Sequence, residues 1–356
     1  MALGRAEVVP PQVRAERCVH SLIEQASCHA CAAACPMGAW LIDDDRLGID
    51  TSRCDGCNLC VPACPQAAII QRYRPVILNT DQGAIAFTAC EFAGIQGEAL
   101  PVIPCLHALG VRDLLMLVQE GVGQMVTASG DCDHCWRGRG EGFTQRLDSV
   151  NHLLEARHLP SLIRLHQGPN AWLRQWEEAN HPANRLRLNR RDFFQRALQV
   201  PIERIRQTLE RADASRVPPG QLLPPASPGE PLPFAPVLDD MLCAGCDACM
   251  RLCPHAALVL ERSEGQAQHY VVRAENCTGC GICLDVCATH ALSIRRWQAS
   301  PRDRIPLVEN QCHSCGVRFH LPQGPPPRRG GGQPPPPLCA ICFRRDHYRK
   351  LFQVLD

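Results

Sequence analysis

At three places in this chain four cysteines fall within eleven residues in one fixed order, and nothing else in it limits the fold as strongly. The segments are Cys54-Asp-Gly-Cys57-Asn-Leu-Cys60-Val-Pro-Ala-Cys64-Pro65, Cys243-Ala-Gly-Cys246-Asp-Ala-Cys249-Met-Arg-Leu-Cys253-Pro254 and Cys277-Thr-Gly-Cys280-Gly-Ile-Cys283-Leu-Asp-Val-Cys287. Each reads C-x2-C-x2-C-x3-C, and the first two end in proline. A fourth segment, Cys28-His-Ala-Cys31-Ala-Ala-Ala-Cys35-Pro36, supplies the last three positions of the pattern. Cys18, separated from Cys28 by nine residues, can stand in for its missing first position.

The chain has 24 cysteines in 356 residues, so the thiols need a collective explanation, as disulfides or as metal ligands. Disulfides belong to oxidising compartments. Met1 to Arg17 contains no apolar h-region, and no run reaches 18 apolar residues. A reduced, cytoplasmic, metal-carrying chain without a membrane span is therefore expected. Arg190-Arg191-Asp192-Phe193-Phe194 has a twin-arginine look but is internal with no apolar stretch after it, and reads as a basic helix start. Zinc takes separated C-x2-C pairs rather than four thiols in so short a run. The C-x3-C-x2-C order of enzymes that cleave S-adenosylmethionine is absent, since Gly38, Ala67, Ala256 and His290 occupy the positions it would need.

The spacing suits a 4Fe–4S cubane. Two-residue gaps let three thiolates curl around one face of it, and the fourth, after a short helical turn, points toward the other cluster of a pair. Gly56, Gly245 and Gly279 lie between the first two cysteines, where a backbone without Cβ can turn tightly and approach the inorganic sulfides. Backbone N–H groups aimed there would stabilise the cluster's negative charge.

Over residues 16–75 and 237–298 the sequence resembles the bacterial two-cluster ferredoxins. The resemblance implies cross-ligation. One C-terminal cluster would take Cys243, Cys246, Cys249 and Cys287, and its partner Cys277, Cys280, Cys283 and Cys253. The N-terminal sets would be Cys18, Cys28, Cys31 with Cys64, and Cys54, Cys57, Cys60 with Cys35. The sequence departs from the family in the distance of Cys18 from its motif and in Ala288, which follows Cys287 in place of proline. Short hairpins are expected at 39–43 with 47–50, and at 258–261 with 270–273.

Between the modules the pattern changes. Ala84–Thr88 reads as a strand ending at Cys90, Pro101–Pro104 leads to Cys105, 106–120 has helical apolar spacing, and Gly123–Thr127 is a second strand before Cys132 and Cys135. Such an α/β unit gathers cofactors at the C-terminal edge of its strands. Residues 84–158 resemble the small iron–sulfur delta subunit of methyl-viologen-reducing hydrogenases, through Ala89-Cys90-Glu91-Phe92-Ala93-Gly94, Pro104-Cys105 and Gly130-Asp131-Cys132-Asp133-His134-Cys135. That resemblance implies one 2Fe–2S cluster on Cys90, Cys105, Cys132 and Cys135, although the family's first cysteine is replaced by Phe87 and its last pair is more widely spaced. Zinc, or no metal with Cys90 and Cys105 as buried small residues, are the other readings of these thiols. His134 reads as an incidental loop residue.

Residues 143–211 look helical, with one apolar face from Leu147, Val150, Leu153 and Leu154 and another from Phe193, Phe194, Leu198, Ile202, Ile205 and Leu209. These faces suit packing, or docking to a partner enzyme. Residues 212–236 are proline-rich and read as a semi-rigid linker that lets the C-terminal module swing. Cys312-His-Ser-Cys315 and Cys339-Ala-Ile-Cys342, two C-x2-C pairs, suit a structural zinc ion, with a rubredoxin-like iron as the alternative. His313 and His320 read as bystanders.

The expected fold class is α+β: two ferredoxin-like two-cluster modules (1–75 and 237–300) flank a small α/β unit (76–165). A helical segment (166–211), the linker (212–236) and a zinc-ribbon-like knuckle (301–356) complete the chain. There is no dinucleotide fingerprint, P-loop or nucleophile elbow, and a net charge of +1 offers nothing to nucleic acid. The expected cofactors are four 4Fe–4S clusters, one 2Fe–2S cluster and one zinc ion. The expected role is electron relay between partner oxidoreductases, without a substrate site of its own. The alternatives are a permanent electron-transfer subunit of a hydrogenase, formate dehydrogenase or heterodisulfide-reductase-like complex, and a redox or iron sensor.

Overall fold

The computed structural model describes residues 9–43, 46–71, 73–81, 83–138, 142–181, 184, 217–261, 268–323 and 338–345. These fall into two units, Met1–Ala226 and Ser227–Asp356.

The first unit begins with a small module. β1 (Gln12–Val13) closes on β4 (Ile69–Ile70), and β2 (Trp40–Asp43) pairs with β3 (Arg46–Ile49) as the expected hairpin. Two single-turn helices, α1 (Ala30–Ala34) and α2 (Cys60–Ala63), carry cysteines and are ended by Cys35 and Cys64 in extended conformation. The module's core joins Trp40, Leu47, Ala68 and Ile69 to Cys31 and Cys60, with Cys18, Cys35 and Cys64 packed against it. A core built so largely of thiols relies on what the thiols bind.

A five-stranded sheet follows. β5 (Val76–Thr80) runs antiparallel to β6 (Gly83–Cys90). β6 is parallel to β8 (Val122–Ala128), β8 is parallel to β9 (Ile163–His166), and short β7 (Val102–Ile103) pairs with the end of β6. Both central strands are buried along most of their length, as a parallel sheet covered by helices requires. The expected helix from residue 106 is split. Leu106–Ala108 forms a 3₁₀ turn and α3 (Val111–Gln119) begins after Gly110, whose N–H donates to Asp113 Oδ2 at 2.7 Å. α4 (Phe143–Glu155) buries the predicted face of Leu147, Val150, Leu153 and Leu154. α5 (Pro169–Asn180) places Trp172 and Trp176 edge-on to Phe87 of β6, and Trp172 Nε1 donates to the Val126 carbonyl at 3.2 Å.

Two segments differ in detail from the expected boundaries. β9 adds a strand at the end of the expected α/β unit, and α5, a helix within the segment expected to be helical, packs on the face of that sheet. The second predicted apolar face, from Phe193 to Leu209, lies outside the described residues. Of the linker expected at 212–236, the described residues 217–224 are largely packed. Arg112, Gln119 and Arg157 donate to the carbonyls of Val217, Leu222 and Pro224, and Pro219, Leu222 and Leu223 are buried. Proline lacks an N–H but keeps its acceptor, so a proline-rich strap can be fastened by side-chain donors.

In the second unit β10 (Leu232–Leu238), also drawn from the expected linker, pairs antiparallel with β13 (Leu292–Gln298). β11 (Leu258–Glu261) and β12 (His269–Val272) form the predicted hairpin. β14 (Arg304–Gln311) adds to β12, and β15 (Arg318–Pro322) adds to β14, giving the order β11-β12-β14-β15. The knuckle expected as a separate segment from 301 is thus continuous with the ferredoxin hairpin. Short helices α6 (Ala248–Leu252) and α7 (Ile282–Asp285) carry cysteines, and α8 (Ala340–Arg345) carries Cys342. No helix among the described residues is long and apolar enough to cross a membrane.

Candidate metal centres

Each cysteine motif repeats one local geometry. The fourth cysteine accepts a backbone N–H from four residues on: Ala39 to Cys35 Sγ at 3.4 Å, Ala68 to Cys64 at 3.3 Å, Ala257 to Cys253 at 3.2 Å and Ala291 to Cys287 at 3.2 Å. Three residues after each of these cysteines the backbone turns left-handed, at Gly38, Ala67, Ala256 and His290. Ala288 in place of proline therefore leaves the turn after Cys287 intact. Around the second cysteine of the three full motifs, both flanking residues take positive φ: Gly56 and Asn58, Gly245 and Asp247, Gly279 and Gly281. Such a nest turns successive N–H groups toward one anion.

Two of the four expected sets each line one cavity. Cys18, Cys28, Cys31 and Cys64 line one cavity of about 360 Å³, and Cys253, Cys277, Cys280 and Cys283 line another of about 340 Å³. Cys35 lies close enough to Cys54 and Cys60 for their thiolates to repel one another, as does Cys60 to Cys57. Cys243, Cys246 and Cys287 likewise lie near enough to Cys249 to oppose its ionisation. Burial pushes Cys31, Cys60, Cys249 and Cys277 up to about 12 and Cys243 up to about 11. Thiols raised this far are neutral near pH 7, and iron must displace their protons when it binds. Thr278 Oγ1, buried without a hydrogen-bond partner, lies in the wall of the Cys277 cavity. An orphaned donor beside four converging thiols fits an anionic cluster with sulfide acceptors.

Three regions match family models: residues 15–38 and 47–70 a 4Fe–4S binding domain each, and 242–291 a 4Fe–4S dicluster domain. The chain carries ferredoxin-type 4Fe–4S domains. The first match includes Cys18, the remote member of its set. Over 53 residues the chain is 43% identical to Electron transport protein HydN of Escherichia coli K12, covering 15% of this chain and 30% of that protein. HydN of E. coli O6:H1 and O157:H7 matches to the same extent. The chain thus spans less than a third of the length of these curated relatives.

A third cavity of about 360 Å³, within the α/β unit, is lined by Cys90, Cys105, Cys132 and Cys135 together with Phe92, Leu106, His107 and Gly130. Cys90 ends β6 and Cys105 follows β7, so the site sits at the C-terminal edge of the parallel strands, where dipoles and loops converge. A Cβ at Gly130 would overlap the Phe92 carbonyl, so the loop closes over the site only with glycine there. Phe92 N–H donates to Cys90 Sγ at 3.3 Å, and burial raises Cys105 to about 12. His134 pairs with Asp131 at 2.8 Å on the surface and does not line the cavity.

The knuckle thiols of Cys312, Cys315, Cys339 and Cys342 lie within 4.8 Å of one another. Cys315 and Cys339 are 3.9 Å apart, close to the ~3.8 Å sulfur separation implied by tetrahedral Zn–S bonds of about 2.3 Å. The Cys339 N–H donates to Cys312 Sγ at 3.4 Å and, with neighbouring N–H groups, lowers its thiol to about 6. A thiol already ionised at neutral pH is a ready metal ligand.

One functional neighbourhood was not foreseen. His320, expected to be a bystander, lies on β15 beside the Cys246 loop, with Nε2 2.7 Å from Asp247 Oδ1. Tyr270 OH donates to the same oxygen at 2.7 Å. A Cβ at Gly245 would overlap the His320 carbonyl. The knuckle strand therefore covers one cluster loop. Nothing local in the sequence around residue 320 signals this, because the contact spans more than 70 positions.

Proposed function

We propose that this chain is an iron–sulfur electron-transfer protein holding four 4Fe–4S clusters, a 2Fe–2S cluster at Cys90, Cys105, Cys132 and Cys135, and one zinc ion at Cys312, Cys315, Cys339 and Cys342. The observation that carries the reading is the fourfold repetition of one thiol-accepting turn, with cysteines from two motifs converging at each site. Clusters bound there supply one-electron redox chemistry. The chain's own groups gather thiolates, turn N–H groups toward the anion and exclude water.

HydN's name as an electron transport protein supports a carrier role with separate donor and acceptor proteins. The four knuckle thiols leave no open position for a substrate, which favours a scaffold. Anaerobic purification with metal and sulfide analysis tests the whole assignment. It should give about 18 iron atoms and one zinc per chain. About 16 iron removes the 2Fe–2S centre, and eight or fewer overturns the two-module reading. Potentiometric EPR should resolve the cubanes as one-electron couples.

A further inference from the structure

Arg137 follows the last cysteine of the middle site by two residues, and its side chain is only 5% exposed. Its guanidinium binds loops of two sites at once. Nε donates to Asp55 Oδ2 at 2.5 Å, and Asp55 lies between Cys54 and Cys57 of the N-terminal module. Nη1 donates to Glu91, next to Cys90, and to the carbonyl of Pro104, next to Cys105, at 3.1 Å. Phe92 and Trp136 stack against the same group, with ring centroids 4.8 and 4.9 Å from its central carbon.

The two sites also touch directly. Cys57 and Cys105 share one buried cluster with Leu59. Pro62 of α2 crowds Gly110, where an added Cβ would come within 3.0 Å of it. Cys57, Leu59 and Cys105 thus pack together between the sites, and a buried cation fastens the loops on either side. A buried ion pair is a weak source of stability and a better source of fixed geometry. Arginine keeps its charge at any working pH, and its planar fork can hold several acceptors in place.

We propose that Arg137 is a positioning residue that locks the middle site against the Cys35, Cys54, Cys57 and Cys60 cluster, so that one electron passes directly between them. In that step the reduced centre loses one electron, the other gains it, and no bond or proton need change. Each reduction adds negative charge, and a permanent cation between the centres favours it at both. The proposal rests on the cluster assignments of the preceding section.

The test uses the full chain, purified anaerobically, with dithionite as reductant. In the wild type, the EPR signal of the reduced middle centre should be broadened by the adjacent reduced cubane, and Cys57→Ser should narrow it. Arg137→Gln should shift the midpoints of both centres downward while leaving the clusters of residues 243–287 unmoved. Arg137→Lys should restore most of that shift. Glu91→Gln removes a negative charge from the same group and should shift the middle centre upward, which keeps the test open if Arg137→Gln misfolds. Iron near 16 rather than 18 atoms would overturn the middle assignment, and the proposal with it. Full iron with unmoved midpoints, or with equal shifts at every cluster, would overturn the role of Arg137 alone.

Discussion

Gly245 has two reasons to be glycine: a φ of +65° and the His320 carbonyl in the place a Cβ would occupy. The left-handed conformation alone costs a non-glycine residue roughly 1–2 kcal/mol, and the overlap adds to it. Gly245→Ala should therefore lose one cubane, about four iron atoms by chemical analysis, with the zinc retained. A variant with full iron would mean that the loop and β15 separate easily. Cys18→Ser is a sharper probe of a single ligand. If Cys18 completes the set with Cys28, Cys31 and Cys64, the variant should lose or convert that cluster alone, visible as a changed EPR signal. Protonation follows the same residue-level logic. Thiols raised to about 11 or 12 at Cys31, Cys60, Cys243 and Cys249 are neutral at pH 7.5, so cluster assembly should release about one proton for each of them. Cluster affinity should accordingly fall as pH falls. Cys312, lowered to about 6, is already ionised at pH 7.5, so zinc loading should release fewer than one proton per thiol. Calorimetry in buffers of different ionisation enthalpy measures both, and release of a full proton from every knuckle thiol would mean that Cys312 is not ionised beforehand.

At the scale of elements, legibility followed the range of the contacts. The hairpins at 40–49 and 258–272 and the helical face of α4 were readable, because strand alternation and helical spacing are local. Gly56, Gly245 and Gly279 were readable for the same reason, since a tight turn needs its glycine in place. The packing of Leu222 and Pro224 was not, because donors on Arg157 and Gln119 are about 70 and 100 positions away. β9 was hidden in a segment, Ile163-Arg-Leu-His166, too short and too exposed on one edge to alternate clearly. α5 carries the two tryptophans that close the sheet, and Trp172 is fully buried against Phe87 and Val126. Trp172→Ala should cost about 3–5 kcal/mol. It should lower the first thermal transition seen by circular dichroism while leaving the iron and zinc of residues 227–356 in place. The knuckle offers the complementary element test. β14 extends the ferredoxin hairpin and β15 covers Gly245, so Cys312→Ser should remove zinc and also make the Cys243 cluster more labile to oxygen. Unchanged bleaching kinetics would mean that the knuckle is only appended.

At the scale of the whole molecule, the chain divides after Ala226, and the division groups metal sites with the cores that need them. Met1–Ala226 contains the N-terminal sets, the middle site and the sheet, joined by the Arg137 bridge and the Cys57–Leu59–Cys105 contact. Ser227–Asp356 contains the C-terminal sets and the knuckle, joined through one four-stranded sheet and the Asp247–Tyr270–His320 network. Small cores bury too little apolar surface to stand alone, and bound metals supply the remainder. A fragment of 130 residues with its own sheet, two cluster sites and a thiol tetrad meets that requirement. Expressed alone under anaerobic conditions, residues 227–356 should fold with about eight iron atoms and one zinc. Chelation should then unfold it rather than simply bleach it, because ligand gathering and core formation are one event. Residues 1–226 should retain about ten iron atoms and the magnetic interaction between the middle centre and its neighbouring cubane. A 227–356 fragment that binds zinc but only about four iron atoms would show that one C-terminal cluster depends on residues before 227, and the boundary would have to be redrawn.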